Sequence, residues 1–214
     1  MIDMKKIPRL LLLLFCSAFI GSSLFAQNLD FNLRYDIEMD RYEVYVRPDA
    51  SDIDFQVNNA RITVVTPALG NTSLMINDVL LDWASTSSVN APAAAPDNDF
   101  FDVVVSSGEQ INLVANQEAL LFYFSLDGGC VDGVRLFENG TDPGPTESGM
   151  IGNDYSNSIS AIGNEGPGEY YDANYDNNGT SCSVASLPVL GYKWKLLLGL
   201  LLIASSIFGY SRFS

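Results

Sequence analysis

The stretch "DANYDNNG" places Asp172, Asn174 and Asp176 at alternate positions, with Gly179 three residues further on. Hard oxygen donors at that spacing open calcium-binding loops, so Ca²⁺ is the cofactor this segment suits. Two positions depart from that pattern: Asn177 stands where glycine makes the sharp turn, and Ser183 where a glutamate would chelate through both oxygens. A solvated turn is the plain alternative. Just upstream, "EYYDANY" supplies Tyr170, Tyr171 and Tyr175. Such rings stack on pyranose faces while neighbouring carboxamides and carboxylates bond the sugar hydroxyls. The same rings serve equally as packing in a β core, and nothing in the sequence separates the two uses.

The residue inventory removes most catalytic chemistry. The chain contains no histidine, which excludes Ser-His-Asp and Cys-His nucleophiles and His-ligated zinc hydrolases. Lysine is missing between residues 27 and 187, so a Schiff base or a P-loop has no candidate there, and no glycine-rich loop opens a helix. Two facing carboxylates, as in glycoside hydrolysis, survive this elimination. With 25 acids in the same region, almost any fold brings some together, and the survival carries little information. The chain is expected to be non-catalytic, with a carboxylate-pair glycosidase as the enzyme reading left open.

Charge is unevenly placed. The formal net charge is −15, yet residues 27–187 hold 25 acids against five arginines and so lie near −20. That surface repels phosphate backbones and lacks the counterion-release term, which excludes nucleic acid as a partner. Solubility accounts for the charge, and a steering field for a cationic partner is the other account.

The opening, "MIDMKKIPRLLLLLFCSAFIGSSLFAQ", joins Lys5, Lys6 and Arg9 to an apolar run and then to small residues before Gln27. This layout predicts a secretory signal peptide over 1–26, cut after Ala26. Cys16 falls inside it. Cys130 and Cys182 then remain as an even pair in an exported chain and are expected to be bonded, which stabilises the fold by roughly 4 kcal/mol in the chain-entropy view. A two-cysteine metal site or a reactive thiol lacks histidine partners and a basic neighbourhood.

The elements that would hold these residues read as strands. In "FNLRYDIE", Phe31, Leu33, Tyr35 and Ile37 share one face, and Asn32, Arg34, Asp36 and Glu38 take the other. "YEVYVRP" repeats the pattern through Tyr42, Val44 and Val46, so the pair predicts a hairpin. "ARITVVTP", "NDVLLDW", "FFDVVV", "EALLFYFSL" and "GVRLFEN" predict further strands, while 84–99, with Pro92 and Pro96, predicts a loop. Residues 140–179 are rich in Gly, Pro, Asn, Asp and Tyr, with only "NSISAIG" strand-like, and the Cys130–Cys182 bridge is expected to tie them down. No amphipathic helix of credible length interrupts the series. The expectation is an all-β fold over 27–180, an antiparallel two-sheet β-sandwich with Trp83 and the aromatic strands filling the layer between sheets.

"YEVYVRP", "ARITVVTP", "DWASTSSVNAPAAAPDNDFFDVVV", "EALLFYFSLDGGCVDGVRLFENGTDP" and "GNDYSNSIS", in that order, resemble a module of secreted and surface proteins of Gram-negative bacteria, similar to cohesin-like and carbohydrate-binding β-sandwiches. The resemblance spans most of residues 32–176. It implies a jelly-roll or immunoglobulin-like sandwich used for attachment to a surface protein or a glycan. Such modules usually sit in longer chains, whereas this one carries its own tail.

The tail, "LPVLGYKWKLLLGLLLIASSIFGYSRFS", resembles the short C-terminal sorting domains that begin with an Ile-Pro-Thr-Leu motif and continue through Trp, an apolar helix and a basic end. Here Leu187, Pro188, Val189 and Leu190 stand in the motif, and Trp194 follows one residue later than the usual pattern. A Gram-positive sortase motif needs threonine where Leu190 stands. The apolar run 196–210 has 15 residues, short of the ~20 that span a hydrocarbon core. Taken back to Leu187 it has 24, provided Lys193 and Lys195 snorkel beside Trp194 and Tyr192. Arg212 places the basic end inside, with Lys193 and Lys195 pulling the other way. The expectation is a linker and sorting motif over 181–190 and a transmembrane or sorting helix over 191–212. These would place the chain in the cell envelope or at the cell surface with the membrane as a partner, the helix being either retained or removed near "LPVLG".

Overall fold

Alternating apolar and polar residues build β1 (Leu29–Asp36) and β2 (Arg41–Pro48), an antiparallel hairpin in which Leu33 faces Val44 and Phe31 faces Val46. The computed structural model describes residues 27–70, 72–106 and 108–183. The expected signal peptide, the sorting motif and the C-terminal helix lie outside those residues. The chain divides into Met1–Thr180 and Ser181–Ser214, and of the second unit only Ser181, Cys182 and Ser183 are described. Among the described residues there is no helix, and none therefore that is long and apolar enough to cross a membrane.

The long strand β3 (Asp52–Pro67) is followed by β4 (Leu74–Asp78), β5 (Ala84–Asn90), β6 (Asn98–Val105), β7 (Gln110–Leu113) and β8 (Ala119–Leu126). The short strands β9 (Arg135–Leu136), β10 (Ser158–Gly163), β11 (Gly166–Glu169) and β12 (Tyr171–Asn174) complete the fold. One sheet runs β12-β1-β2-β8-β4, the other β11-β10-β3-β6-β5, with β7 and β9 also paired to β3. All pairings are antiparallel except β1 with β12.

One apolar cluster joins the two sheets. Phe31, Leu33, Val44 and Val46 from the first meet Val57, Ile62, Val64, Phe101, Val103 and Ile159 from the second, and all are buried. Each such side chain stabilises the fold by about 1.5–3 kcal/mol relative to exposure. Trp83 is in the same cluster, as expected for the inter-sheet layer, with its ring 5.0 Å from that of Phe122. In β8 the consecutive residues Leu121 and Phe122 are both buried because the pairing with β2 shifts register between Val44 and Tyr45. The bulge, and not an apolar second face, explains the continuous apolar run: Tyr123 and Ser125 remain partly exposed.

Three expectations change. The stretch 84–99 is a loop only over 91–97, since Asn98 opens β6 and Ala84–Asn90 forms β5 at the edge of its sheet, where one side of the strand meets water and Ser and Thr are tolerated. "NDVLLDW" is not a strand throughout: β4 ends at Asp78, whose Oδ1 accepts from the Trp83 amide, and Leu81 takes a positive φ of 67°. The run 140–157 is held by its own small core. Met150 and Tyr155 pack with Phe137 on Val65, Val89 and Phe100, on the side of the second sheet away from the main cluster. Gly149 lies so close to the turn at Pro92 that a Cβ would come within 2.6 Å of the Ala93 nitrogen. The disulfide between Cys130 and Cys182 is present, and the small cluster that holds this stretch contains neither cysteine.

Candidate functional site

The tyrosines singled out in the sequence occupy three different environments. Tyr170 is buried, edge-on to Phe55 with ring centres 5.0 Å apart. Tyr171 begins β12, is half-buried against Phe31 at 5.1 Å, and burial pushes its phenol up to about 12. Tyr175 lies just past the strand, its amide donating to the Phe31 carbonyl. They do not share one flat platform.

Of the proposed calcium donors, Asp172 and Asp176 are exposed, while the Asn174 carboxamide is committed inside the protein. Its Nδ2 donates to the Phe137 carbonyl at 2.7 Å, and its Oδ1 accepts from Asn157 Nδ2 and the Tyr171 hydroxyl. Asn177 pairs with Leu136 as a strand would: the Leu136 amide donates to Oδ1, and Nδ2 donates to the Leu136 carbonyl, each at 2.8 Å. These amides clasp the end of β12 and the segment after it to Leu136 and Phe137, where the main chain alone leaves orphan groups. Among the described residues no three His, Cys, Asp or Glu side chains gather as a metal ion requires.

A different set of residues converges on the solvent side of the first sheet. Side chains alternate across a strand, so Asp30 and Arg34 of β1 project beside Arg41, Glu43, Tyr45 and Arg47 of β2, with Asp30 directly opposite Arg47 and Arg34 opposite Glu43. The groups join in a continuous chain. Arg41 lies 4.1 Å from the centre of the Tyr123 ring and donates to Glu43 Oε1, whose other oxygen accepts from the Tyr45 hydroxyl at 2.5 Å. Arg34 lies 3.8 Å from the Tyr45 ring centre and donates to Glu118 Oε2 at 2.8 Å. Glu118 Oε1 accepts from the Tyr175 hydroxyl at 2.7 Å, the Tyr175 ring carries Arg47 at 3.9 Å, and Arg47 donates to Asp30 at 3.0 Å. Three tyrosine–arginine–carboxylate units thus follow one another across the face.

Each contact is modest: about 0.5–1 kcal/mol for an exposed cation–π pair and 0.2–1 kcal/mol for an exposed ion pair. Their effect is to fix long side chains in one arrangement. Beside the ladder, Arg34, Tyr35, Asp36, Ile37, Glu38 and Glu43 line an open depression of about 410 Å³. Ile37, placed on the core face by simple alternation, instead turns out at the hairpin tip and is 45% exposed.

The surroundings of Glu118 and of Asp154 hold their pKa values below the ordinary carboxylate range. For Glu118 the hydrogen bond from Tyr175 is the main cause, with Arg34 adding to it against burial. For Asp154 burial acts upward and is outweighed by the Ser156 amide and hydroxyl and by Arg61. A general acid needs the opposite shift. The ladder residues were only half visible in sequence. "RYEVYVR" alternates as an outward stripe, but Glu118, Tyr123 and Tyr175 join it only through strand pairing.

Compared with protein-family models, with curated proteins and with solved structures, the chain matches none.

Proposed function

We propose that this chain is a non-catalytic, exported attachment protein. In this reading it is a β-sandwich of jelly-roll or immunoglobulin/cohesin-like kind that binds a surface protein or a glycan, and its C-terminal segment tethers it to the membrane or sorts it there. The observation that carries the reading is the tyrosine–arginine–carboxylate ladder beside the depression. Tyrosine and arginine are the residues that dominate binding hot spots, because they offer large amphipathic area with few torsions to freeze. Here those torsions are already fixed in the free protein, so binding costs less ordering.

A carbohydrate-binding accessory module is the second reading, favoured by half-buried tyrosine rings next to a depression lined with both donors and acceptors. A glycan array probed with the detergent-solubilised full-length chain separates the two. Glycan binding lost in Tyr45→Ala and retained in Tyr171→Ala supports the second reading on this face. Cell adherence of beads carrying the chain, lost in Arg34→Ala without a glycan signal, supports the first. Adherence and glycan binding both unchanged in Arg34→Ala and Tyr45→Ala would refute a role for this face. Sequencing of the mature termini tests export and tail processing: a C-terminus at Ser214 means retention, and one near Ser186 means removal.

A further inference from the structure

The chain contains two Asn-Gly pairs in described loops, Asn139–Gly140 and Asn178–Gly179, and the fold treats them oppositely. In both, glycine adopts the left-handed conformation, with φ of +79° at Gly140 and +86° at Gly179. In both, the residue that follows asparagine has no side chain to hinder the approach of its nitrogen to the preceding carboxamide. The difference lies in the asparagine. Asn139 is pinned at both ends, with Nδ2 donating to the Asn157 carbonyl and Oδ1 accepting from the Asn157 amide, each at 2.8 Å. Asn178 is exposed, and its carboxamide makes no hydrogen bond among the described residues.

We propose that Asn178 is a site of spontaneous succinimide formation, and that its conversion loosens the clasp between residues 177–180 and residues 133–136. The Gly179 nitrogen attacks Cγ of Asn178 and forms the ring C–N bond. The C–Nδ2 bond breaks, and the side-chain nitrogen leaves as ammonia with the proton given up by Gly179. Water then opens the ring at either carbonyl, yielding aspartate or isoaspartate at position 178. The reaction requires no enzyme and no co-reactant beyond water.

The surroundings make the product consequential. Asn177 on one side is fixed to Leu136, and Thr180 on the other donates to the Val134 carbonyl and accepts from the Gly133 amide, both at 2.8 Å. Between them Gly179 lies so close to Gly133 that a Cβ would sit 3.0 Å from its Cα. Isoaspartate adds a backbone atom to a span held at both ends and tight in the middle. The span cannot lengthen without releasing one end.

The test is peptide mapping of the purified full-length chain during incubation in mildly alkaline buffer, partly in heavy-oxygen water to mark ring opening. Two ordinary hydrogen bonds hold back Asn139, so aspartate and isoaspartate should accumulate at 178 about thirtyfold faster than at 139. Equal rates, or faster conversion at 139, would overturn the assignment. Amide exchange reads the second half: the Thr180 amide should lose protection in aged protein and keep it in aged Asn178→Ser. Unchanged protection in converted chains would overturn the loosening.

Discussion

The guanidinium carbon of Arg47 stands 3.9 Å from the centre of the Tyr175 ring, so β2 holds the residue that follows β12 across the intervening strand β1. Removing either partner should cost the cation–π term, and removing the tyrosine should also cost the hydrogen bond to Glu118. Tyr175→Phe is expected to destabilise by about 1 kcal/mol and Tyr175→Ala by about 2 kcal/mol. A double-mutant cycle with Arg47→Ala, read by urea unfolding, should return a coupling of about 0.5–1 kcal/mol. A coupling of zero would mean that the stacked arrangement does not persist in solution.

Acid should weaken the same contact. Hydrogen bonding from Tyr175, then Arg34, holds the folded-state pKa of Glu118 below its ordinary carboxylate value. A group depressed in this way contributes stability above its unfolded pKa, and the contribution disappears as pH falls through the folded value. Wild type should therefore outlast Glu118→Gln near neutrality, and the gap should close below about pH 4. Unfolding curves at stepped pH check this, and a gap independent of pH would contradict it.

Asp99 is fully buried and joins two loops, with Oδ2 accepting from the Leu69 amide at 2.8 Å and Oδ1 from the Ala91 amide at 2.9 Å. Asp99→Ala leaves both donors orphaned and should cost roughly 3 kcal/mol or more, whereas Asp99→Asn keeps one acceptor and should cost about half as much. Thermal melts of the two variants give the ranking.

Reduction of Cys130–Cys182 opens a loop of about 50 residues, and the expected loss of stability is about 2–5 kcal/mol. Intact mass with and without reductant reports the bond, and denaturant midpoints report its worth. Since Met150 and Tyr155 are buried in a cluster that contains neither cysteine, near-ultraviolet signals from the Phe100–Tyr155 cluster should survive reduction at temperatures where the protein stays folded.

What could be read in advance was whatever depends on neighbours in the chain. The β1–β2 hairpin was legible because Phe31, Leu33, Val44 and Val46 alternate with polar residues, and the cysteine pair because an even count implies pairing. β5 was hidden because Ser85, Thr86, Ser87 and Ser88 carry no apolar period: an edge strand needs only one satisfied side, supplied by β6. Residues 140–157 read as unstructured because Phe137, Met150 and Tyr155 follow no strand or helix period, and the Val65 and Phe100 on which they meet lie far away in the sequence. The ladder draws on two neighbouring strands for its arginines, but on β8, the loop before it and the segment after β12 for Tyr123, Glu118 and Tyr175. Pairing order, which no local pattern encodes, brings them together.

Strand β3 carries a kinetic consequence. Its residues pair with β7 and then β6 along one side, and with β10 and then β9 along the other. Asp52 meets Leu113, Ala60 meets Val105, Val64 meets Leu136 and Arg61 meets Ser158. Every one of these closures brings together residues distant in the chain, so the entropy of loop closure is lost before the contacts return it. Chains dominated by such pairings fold in milliseconds to seconds, far more slowly than helical proteins of equal size. The second sheet is complete only once residues near 160 can reach β3, whose edge toward β10 stays unpaired until then.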